Sequence, residues 1–102
     1  MFAFFKRIPS ISTKALQEKL PQKPLVLDVR EPSEFRSGHI IGAKNVPVGK
    51  IGTYQTDKPV YVICQSGMRS KRAAKQLQAK GINVTNVSGG MSSWAGPTRG
   101  GK

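Results

Sequence analysis

Short apolar runs alternate along the chain with segments in which apolar residues recur every three or four positions. Apolar runs at residues 25–29, 59–63 and 84–87 have the length of buried strands, and a weaker run covers 44–46. Helical patterns cover residues 13–20 and 69–80, and shorter helices are predicted at 31–38, 48–54 and 90–94. Strands that alternate with helices predict an α/β fold with a central parallel sheet and helices on both faces.

Two polar residues stand where such a sheet binds ligands. Asp28 and Cys64 lie at or near the carboxyl ends of predicted strands. Because open parallel sheets bind their ligands at these ends, we expect the functional site there. His39 has no neighbouring His or Cys in the sequence, and we expect it to be a hydrogen-bonded structural residue. Trp94 is expected in the core.

The length of 102 residues fits one domain, with a core at about residues 11–96 and a loose tail at 97–102. The apolar N-terminal residues 1–5 are too few for a secretory signal, and we expect them to pack on the core. No window approaches the roughly 20 apolar residues of a membrane span. A single Cys and a single His exclude a disulfide framework and a multi-cysteine or His-rich metal site. We therefore expect a cytoplasmic protein with a reduced thiol.

The positive charge is concentrated in the second half of the chain. Seventeen Lys and Arg stand against five Asp and Glu, a net charge of +12. Residues 1–57 carry nine basic and five acidic side chains, whereas residues 58–102 carry eight basic and none acidic. This half should attract anions. Without zinc-finger spacing, an aromatic RNA-binding motif or a long basic run, the sequence does not indicate specific nucleic-acid binding.

The segment from Cys64 to Ser70 joins a predicted strand to a predicted helix through a tight turn. Gly67 allows backbone N–H groups to turn inward, and the helix directs the positive end of its dipole toward the turn. Arg69 adds a full positive charge. All three effects favour the thiolate, so we predict a lowered pKa for Cys64, and a thiolate is a strong nucleophile.

Cations are unfavourable in the first turn of a helix, yet Arg69, Lys71 and Arg72 crowd the first turn of this one. For Arg69 we favour a functional reason, an anion bound in the loop. For Lys71 and Arg72 a solvated helix face is an equally good explanation.

The sequence resembles the single-domain rhodaneses, a family of sulfurtransferases, over about residues 11–96. The resemblance rests on four segments in order: residues 27–35, 38–47, 64–70 and 89–94. Their sequences are LDVREPSEF, GHIIGAKNVP, CQSGMRS and GGMSSW. One departure is Ile41, where the family often has Pro, and it affects only a turn.

The resemblance implies a sulfurtransferase that moves a sulfane sulfur from a small anionic donor, such as thiosulfate, to a thiol or protein-cysteine acceptor. Cys64 would be the nucleophile and carry the sulfur as a persulfide. The cradle for this sulfur would consist of Gln65, Ser66, Gly67, Met68 and Arg69. Independently of the resemblance, Asp28, Arg30 and Ser70 are candidates to support the cradle from outside. Asp28 could accept a hydrogen bond from Arg30 or from a loop amide, and we favour a structural hydrogen bond. Arg30 either faces the pocket or pairs with Glu34. No metal or organic cofactor is implied.

Two other functions remain open. Cysteine phosphatases and arsenate reductases also use a loop from Cys to Arg, but the families that resemble this fold have five intervening residues. Here four residues separate Cys64 from Arg69, and no acidic residue follows Asp57 to act as a general acid. The other alternative is a sulfur-carrier or protein-binding module without high turnover. The sequence leaves the oligomeric state open.

Overall fold

The computed structural model describes residues 7–101. The strands and α-helices are, in chain order, β1 (Ser10–Ile11), α1 (Thr13–Lys19), β2 (Leu25–Asp28), α2 (Pro32–Ser37), β3 (His39–Ile40), β4 (Lys44–Asn45), β5 (Val60–Ile63), α3 (Met68–Ala79), β6 (Val84–Val87) and β7 (Thr98–Arg99). Short 3-10 helices cover Leu20–Gln22, Val48–Thr53 and Gly90–Ser93. The apolar segment 1–5, predicted to pack on the core, lies outside the described residues.

Five of the strands form one parallel sheet in the order β1-β6-β5-β2-β4. The central strands β2 and β5 run side by side, with Asp28 level with Ile63. The residues that follow these two strands therefore emerge at the same edge of the sheet. This architecture confirms the predicted α/β fold with a parallel sheet.

Side chains alternate between the two faces of the sheet and form two cores. Val60 and Val62 of β5 face a core that includes Leu77 of α3, whereas Tyr61 and Ile63 face a second core with Leu16 of α1. The same period of two recurs in β6, where Val84 contributes to the first core and Val87 to the second. Helices therefore cover both faces, as predicted.

Local sequence sets where the helices begin. The Ser12 hydroxyl accepts a hydrogen bond from the Ala15 amide at 3.0 Å and caps α1. Helix α2 begins at Pro32 and has a capping box, in which the Glu34 carboxylate accepts a hydrogen bond from the Glu31 amide at 3.0 Å. Gly38 ends α2, as its sequence predicts.

The prediction of a loose tail at residues 97–102 is wrong for Thr98 and Arg99. Thr98 and Arg99 form β7, which pairs antiparallel with β3, and the Gly101 amide donates to the Arg36 carbonyl at 2.9 Å. Two-residue strands such as β1, β3 and β7 have no recognisable period, so sequence patterns did not find them. Among the described residues, no helix is long and apolar enough to cross a lipid bilayer.

Candidate active site

Cys64 directly follows β5 and is joined to α3 by a three-residue turn. Gly67, the residue before the helix, has φ of +106°, a conformation that residues with a side chain rarely adopt. In this conformation its amide donates to the Cys64 sulfur at 3.1 Å. The turn therefore folds back over the sulfur, as the sequence predicts.

The Cys64 side chain has 0% exposure and polar neighbours. Besides the Gly67 amide, the Ser70 amide donates to Sγ at 3.2 Å. The Ser70 hydroxyl lies 3.4 Å from Sγ. Ser70, expected to support the cradle from outside, thus contacts the sulfur directly. Cys64 thus belongs to the first core, but inward-facing donors reach its sulfur.

Burial and hydrogen bonding act in opposite directions on the pKa of Cys64. Burial raises this pKa and is the largest single influence. Hydrogen bonds from the Ser70 hydroxyl and amide, and from the amides of Gly67 and Ser66, lower it and together outweigh burial. The pKa of Cys64 therefore lies below its ordinary value of 9.0, in the direction predicted from the sequence.

Asp28 and Arg30 form a buried ion pair next to the loop. The Arg30 guanidinium donates to both carboxylate oxygens of Asp28, at 2.8 Å to Oδ2 and 3.0 Å to Oδ1. It also donates to the Gly38 carbonyl at 2.8 Å and to the Gln65 side-chain oxygen at 3.2 Å. Of the two partners expected for Asp28, the structure has Arg30. Arg30 in turn faces the cysteine loop, and the alternative of an Arg30–Glu34 pair is wrong. Gln65 also donates to the Ser92 hydroxyl at 3.2 Å and so spans the loop.

The Arg69 guanidinium forms an ion pair with Glu34, an interaction that the sequence patterns do not predict. Two hydrogen bonds, of 2.7 and 2.9 Å, join its nitrogens to both carboxylate oxygens. The hydrogen bonds from Arg69 lower the pKa of Glu34 to about 2, and those to Glu34 raise the pKa of Arg69. The ionised carboxylate offsets much of the charge that Arg69 was expected to direct at the sulfur.

The 3-10 helix Gly90–Ser93 lies against the cysteine loop, a second contact that sequence patterns missed. The Met91 amide donates to the Cys64 carbonyl at 2.8 Å, and the Ser92 amide donates to the Gln65 carbonyl at 2.9 Å. Gly90 has φ of +59°, and a Cβ there would overlap the Cys64 carbonyl oxygen. The glycine pair at 89–90 is the sequence signal that indicates such a close backbone approach.

The remaining marked residues have structural contacts. His39 is buried, and its Nδ1 lies 2.8 Å from the Phe35 carbonyl, so the expected structural role is confirmed. Trp94, expected in the core, is partly buried and packs against the second core, which contains Leu16 of α1. Of the predicted cradle residues, Ser66 and Gly67 direct amides at the sulfur, whereas Met68 is exposed.

No group of three His, Cys, Asp or Glu side chains within residues 7–101 is placed to hold a metal ion. Two open cavities, of about 580 and 680 Å³, are lined by residues outside the cysteine loop. Cys64 therefore lies in a narrow ring of amides rather than in either of these larger cavities.

Comparison with known proteins agrees with this geometry. The family described as "Rhodanese-like domain" matches residues 12–97. "Putative sulfurtransferase YtwF" of Bacillus subtilis is 40% identical over 98 residues, which cover 90% of this chain and 95% of YtwF. "Thiosulfate sulfurtransferase GlpE" of Pseudomonas putida is 34% identical over 95 residues, which cover 88% of this chain and 84% of GlpE.

Other relatives are longer than this chain. "Uncharacterized protein YqhL" of Bacillus subtilis is 44% identical over 80 residues, which cover 74% of this chain and 64% of YqhL. "Putative sulfur carrier protein YrkF", also of Bacillus subtilis, is 36% identical over 98 residues, which cover 89% of this chain and 53% of YrkF. The chain thus spans about two thirds of one relative and about half of the other.

The fold matches as well as the sequence. The crystal structure of a rhodanese-like domain protein from Staphylococcus aureus aligns with a TM-score of 0.83 at 31% identity and covers 93% of this chain and 100% of that one. The single cysteine of this chain, at the carboxyl end of a central strand, fits the active-site position of such domains. Since sequence and fold agree over most of its length, the chain belongs to the rhodanese-like domain family.

Proposed function

We propose that the protein transfers a sulfane sulfur from thiosulfate, or a similar small anionic donor, to a thiophilic acceptor through a persulfide on Cys64. The observation that carries this proposal is the ring of donors around one buried sulfur: the amides of Gly67 and Ser70 at 3.1 and 3.2 Å, and the Ser70 hydroxyl. These donors stabilise a negative sulfur, which is the attacking species.

Transfer from thiosulfate to the acceptor takes place in two displacements at sulfur. The Cys64 thiolate attacks the outer sulfur of thiosulfate, a new S–S bond forms, and the bond within thiosulfate breaks to release sulfite. An acceptor nucleophile then attacks the outer sulfur of the persulfide, and Cys64 leaves as a thiolate. No external oxidant or reductant is required, because the sulfur moves at the oxidation level at which it arrives.

The loading step can be measured directly, because the chain has one cysteine. After incubation with thiosulfate, intact-mass spectrometry should show an increase of about 32 Da, one sulfur atom, with one sulfite released per chain. The Cys64→Ala variant should show neither. The proposal fails if no adduct forms at any thiosulfate concentration while Cys64, tested by alkylation of the unfolded protein, is a free thiol.

A sulfur carrier is the second candidate, and the named sulfur carrier among the relatives favours it. The two functions differ in turnover. With excess thiosulfate and cyanide, a sulfurtransferase produces many equivalents of thiocyanate per chain. A carrier that passes its sulfur only to a specific partner protein produces about one equivalent.

A further inference from the structure

One face of α3 is exposed from the cysteine loop outward. Met68, Lys71, Arg72 and Lys75 have the spacing i, i+3, i+4 and i+7, which places them along one side of a helix. All four are exposed, whereas Ser70, Ala73, Ala74 and Leu77 form the buried side. We call these four exposed residues the α3 strip. It begins one residue after Gly67, whose amide holds the Cys64 sulfur.

Within residues 7–101, the charges of the α3 strip have no ion-pair partners. The two ion pairs within the described residues are Asp28–Arg30 and Glu34–Arg69, and neither uses Lys71, Arg72 or Lys75. Lys71 and Arg72 also lie near the N-terminal end of α3, where the helix dipole disfavours cations. An anionic partner would relieve both the unpaired charge and the unfavourable dipole interaction.

Met68 indicates what kind of anionic partner this is. Its side chain is 77% exposed, and within residues 7–101 the one other exposed large hydrophobic side chain is Ile41, at 48%. Methionine is enriched at protein–protein interfaces because its flexible thioether adapts to irregular surfaces. The strip has no aromatic side chain on which a nucleic-acid base could stack. An apolar contact next to a basic row fits an acidic protein better than a nucleic acid.

We propose that the α3 strip docks an acidic protein that presents a cysteine thiol to the loop, and that this protein is the sulfur acceptor. This inference rests on the proposed function. The acceptor thiolate attacks the outer sulfur of the Cys64 persulfide, the persulfide bond breaks, and Cys64 leaves as a thiolate while the acceptor becomes a persulfide. A partner that contacts Met68 lies next to Gly67, the preceding residue, whose amide donates to the Cys64 sulfur.

The test uses two synthetic peptides, each with one cysteine. The acidic peptide has Asp and Glu on both sides of the cysteine, and the amide peptide has Asn and Gln instead. Protein loaded with thiosulfate and freed of excess donor is mixed with each peptide, and the peptide mass is followed through a single turnover. We expect sulfur transfer at low salt to be about tenfold faster to the acidic peptide, and this preference to disappear at high salt.

Charge reversal locates the effect. The double variant Lys71→Glu/Arg72→Glu should lose the preference for the acidic peptide. The matched control, Lys14→Glu/Lys50→Glu, changes the net charge equally at exposed positions outside α3, and should keep it. Dividing each rate by the rate with dithiothreitol, a small neutral thiol, removes any change in the reactivity of the persulfide itself.

Binding of the labelled peptides to the Cys64→Ala variant, followed by fluorescence anisotropy, separates docking from sulfur chemistry. We expect acidic-peptide binding at least about tenfold tighter than amide-peptide binding, and lost on reversal of Lys71 and Arg72. If the protein does not load sulfur, that result counts against the proposed function. The binding measurement on Cys64→Ala still tests docking, because it requires no sulfur transfer. Equal affinities for the two peptides, an equal loss in the Lys14/Lys50 control, or displacement of the acidic peptide by oligo-dT at lower concentration than by polyglutamate would overturn the docking proposal.

Discussion

At the residue scale, one hydroxyl has two possible acceptors. The Ser70 hydroxyl lies 3.1 Å from the Gly67 carbonyl and 3.4 Å from the Cys64 sulfur. With a neutral thiol, Cys64 donates to this hydroxyl, which donates to the carbonyl. Because a hydroxyl has only one hydrogen, ionisation of the thiol allows it to turn toward the negative sulfur. Ser70 can therefore satisfy either protonation state of Cys64.

Replacing Ser70 by Ala should raise the pKa of Cys64, because the variant keeps the backbone amide but loses a hydroxyl that lowers this pKa. The rate of alkylation by iodoacetamide, measured against pH, should have a higher midpoint and should be slower near neutral pH. Ser66→Ala is the matched control, because its contribution comes from the backbone and its side chain is exposed. An unchanged midpoint in Ser70→Ala would show that the amides alone hold the thiolate.

At the scale of elements, the 3-10 helix Gly90–Ser93 fixes the backbone of the cysteine loop. Two of its amides donate to the carbonyls of Cys64 and Gln65. These carbonyls belong to the same loop whose amides face the sulfur. The 3-10 helix thus satisfies the outward polar groups of the loop while the inward ones stay free for the sulfur or its cargo.

Gly90→Ala should disturb this contact, since a Cβ at this position would also lie 2.7 Å from the Gln65 carbonyl carbon. We expect a loss of about 2–3 kcal/mol in the free energy of unfolding, measured in urea, together with a changed alkylation rate at Cys64. Gly81→Ala is the control, because Gly81 also has positive φ but has no atom within 4 Å of the added Cβ. It should cost about 1 kcal/mol and leave the alkylation rate unchanged. Equal effects on stability and alkylation would contradict this role of Gly90.

The sequence predicted the longer elements well, because strands such as β5 and helices such as α3 have a clear hydrophobic period. The inward-facing amides and the lowered pKa of Cys64 also followed from local sequence. The Glu34–Arg69 pair did not, because it joins residues 35 positions apart that meet only when α2 and α3 are both in place. The support from Gly90 depends in the same way on how β6 brings a distant turn to the loop.

At the scale of the whole molecule, the Glu34–Arg69 pair ties the region after β2 to the region after β5. Both side chains are about one third exposed, so solvent screens their attraction, and we take its contribution to stability as about 1 kcal/mol. The pKa of Glu34 falls from 4.5 to about 2 on folding. The ionised carboxylate therefore stabilises the fold above about pH 4.5, and this stabilisation is lost as the pH falls through about 2.

Glu34→Gln should lower the free energy of unfolding by about 1 kcal/mol at pH 7. The difference from the unmodified protein should shrink as the pH falls from 4.5 to about 2, because protonation then removes the same charge. Urea unfolding at a series of pH values measures both quantities. Glu18→Gln, an exposed position on α1 without an ion pair in the described chain, should show no such pH-dependent difference. If the difference in the free energy of unfolding between Glu34→Gln and the unmodified protein does not change with pH, a charge-based role for Glu34 is contradicted.

Complete burial of the only cysteine also affects whether oxidation by air can link two chains through a disulfide. Two cysteines joined in a disulfide have their Cα atoms about 4.4–6.8 Å apart. Cys64 lies beneath its own loop with 0% exposure, so a second copy of the folded chain cannot approach its Cα that closely. A disulfide between two copies of the chain would therefore require the cysteine loop to open first.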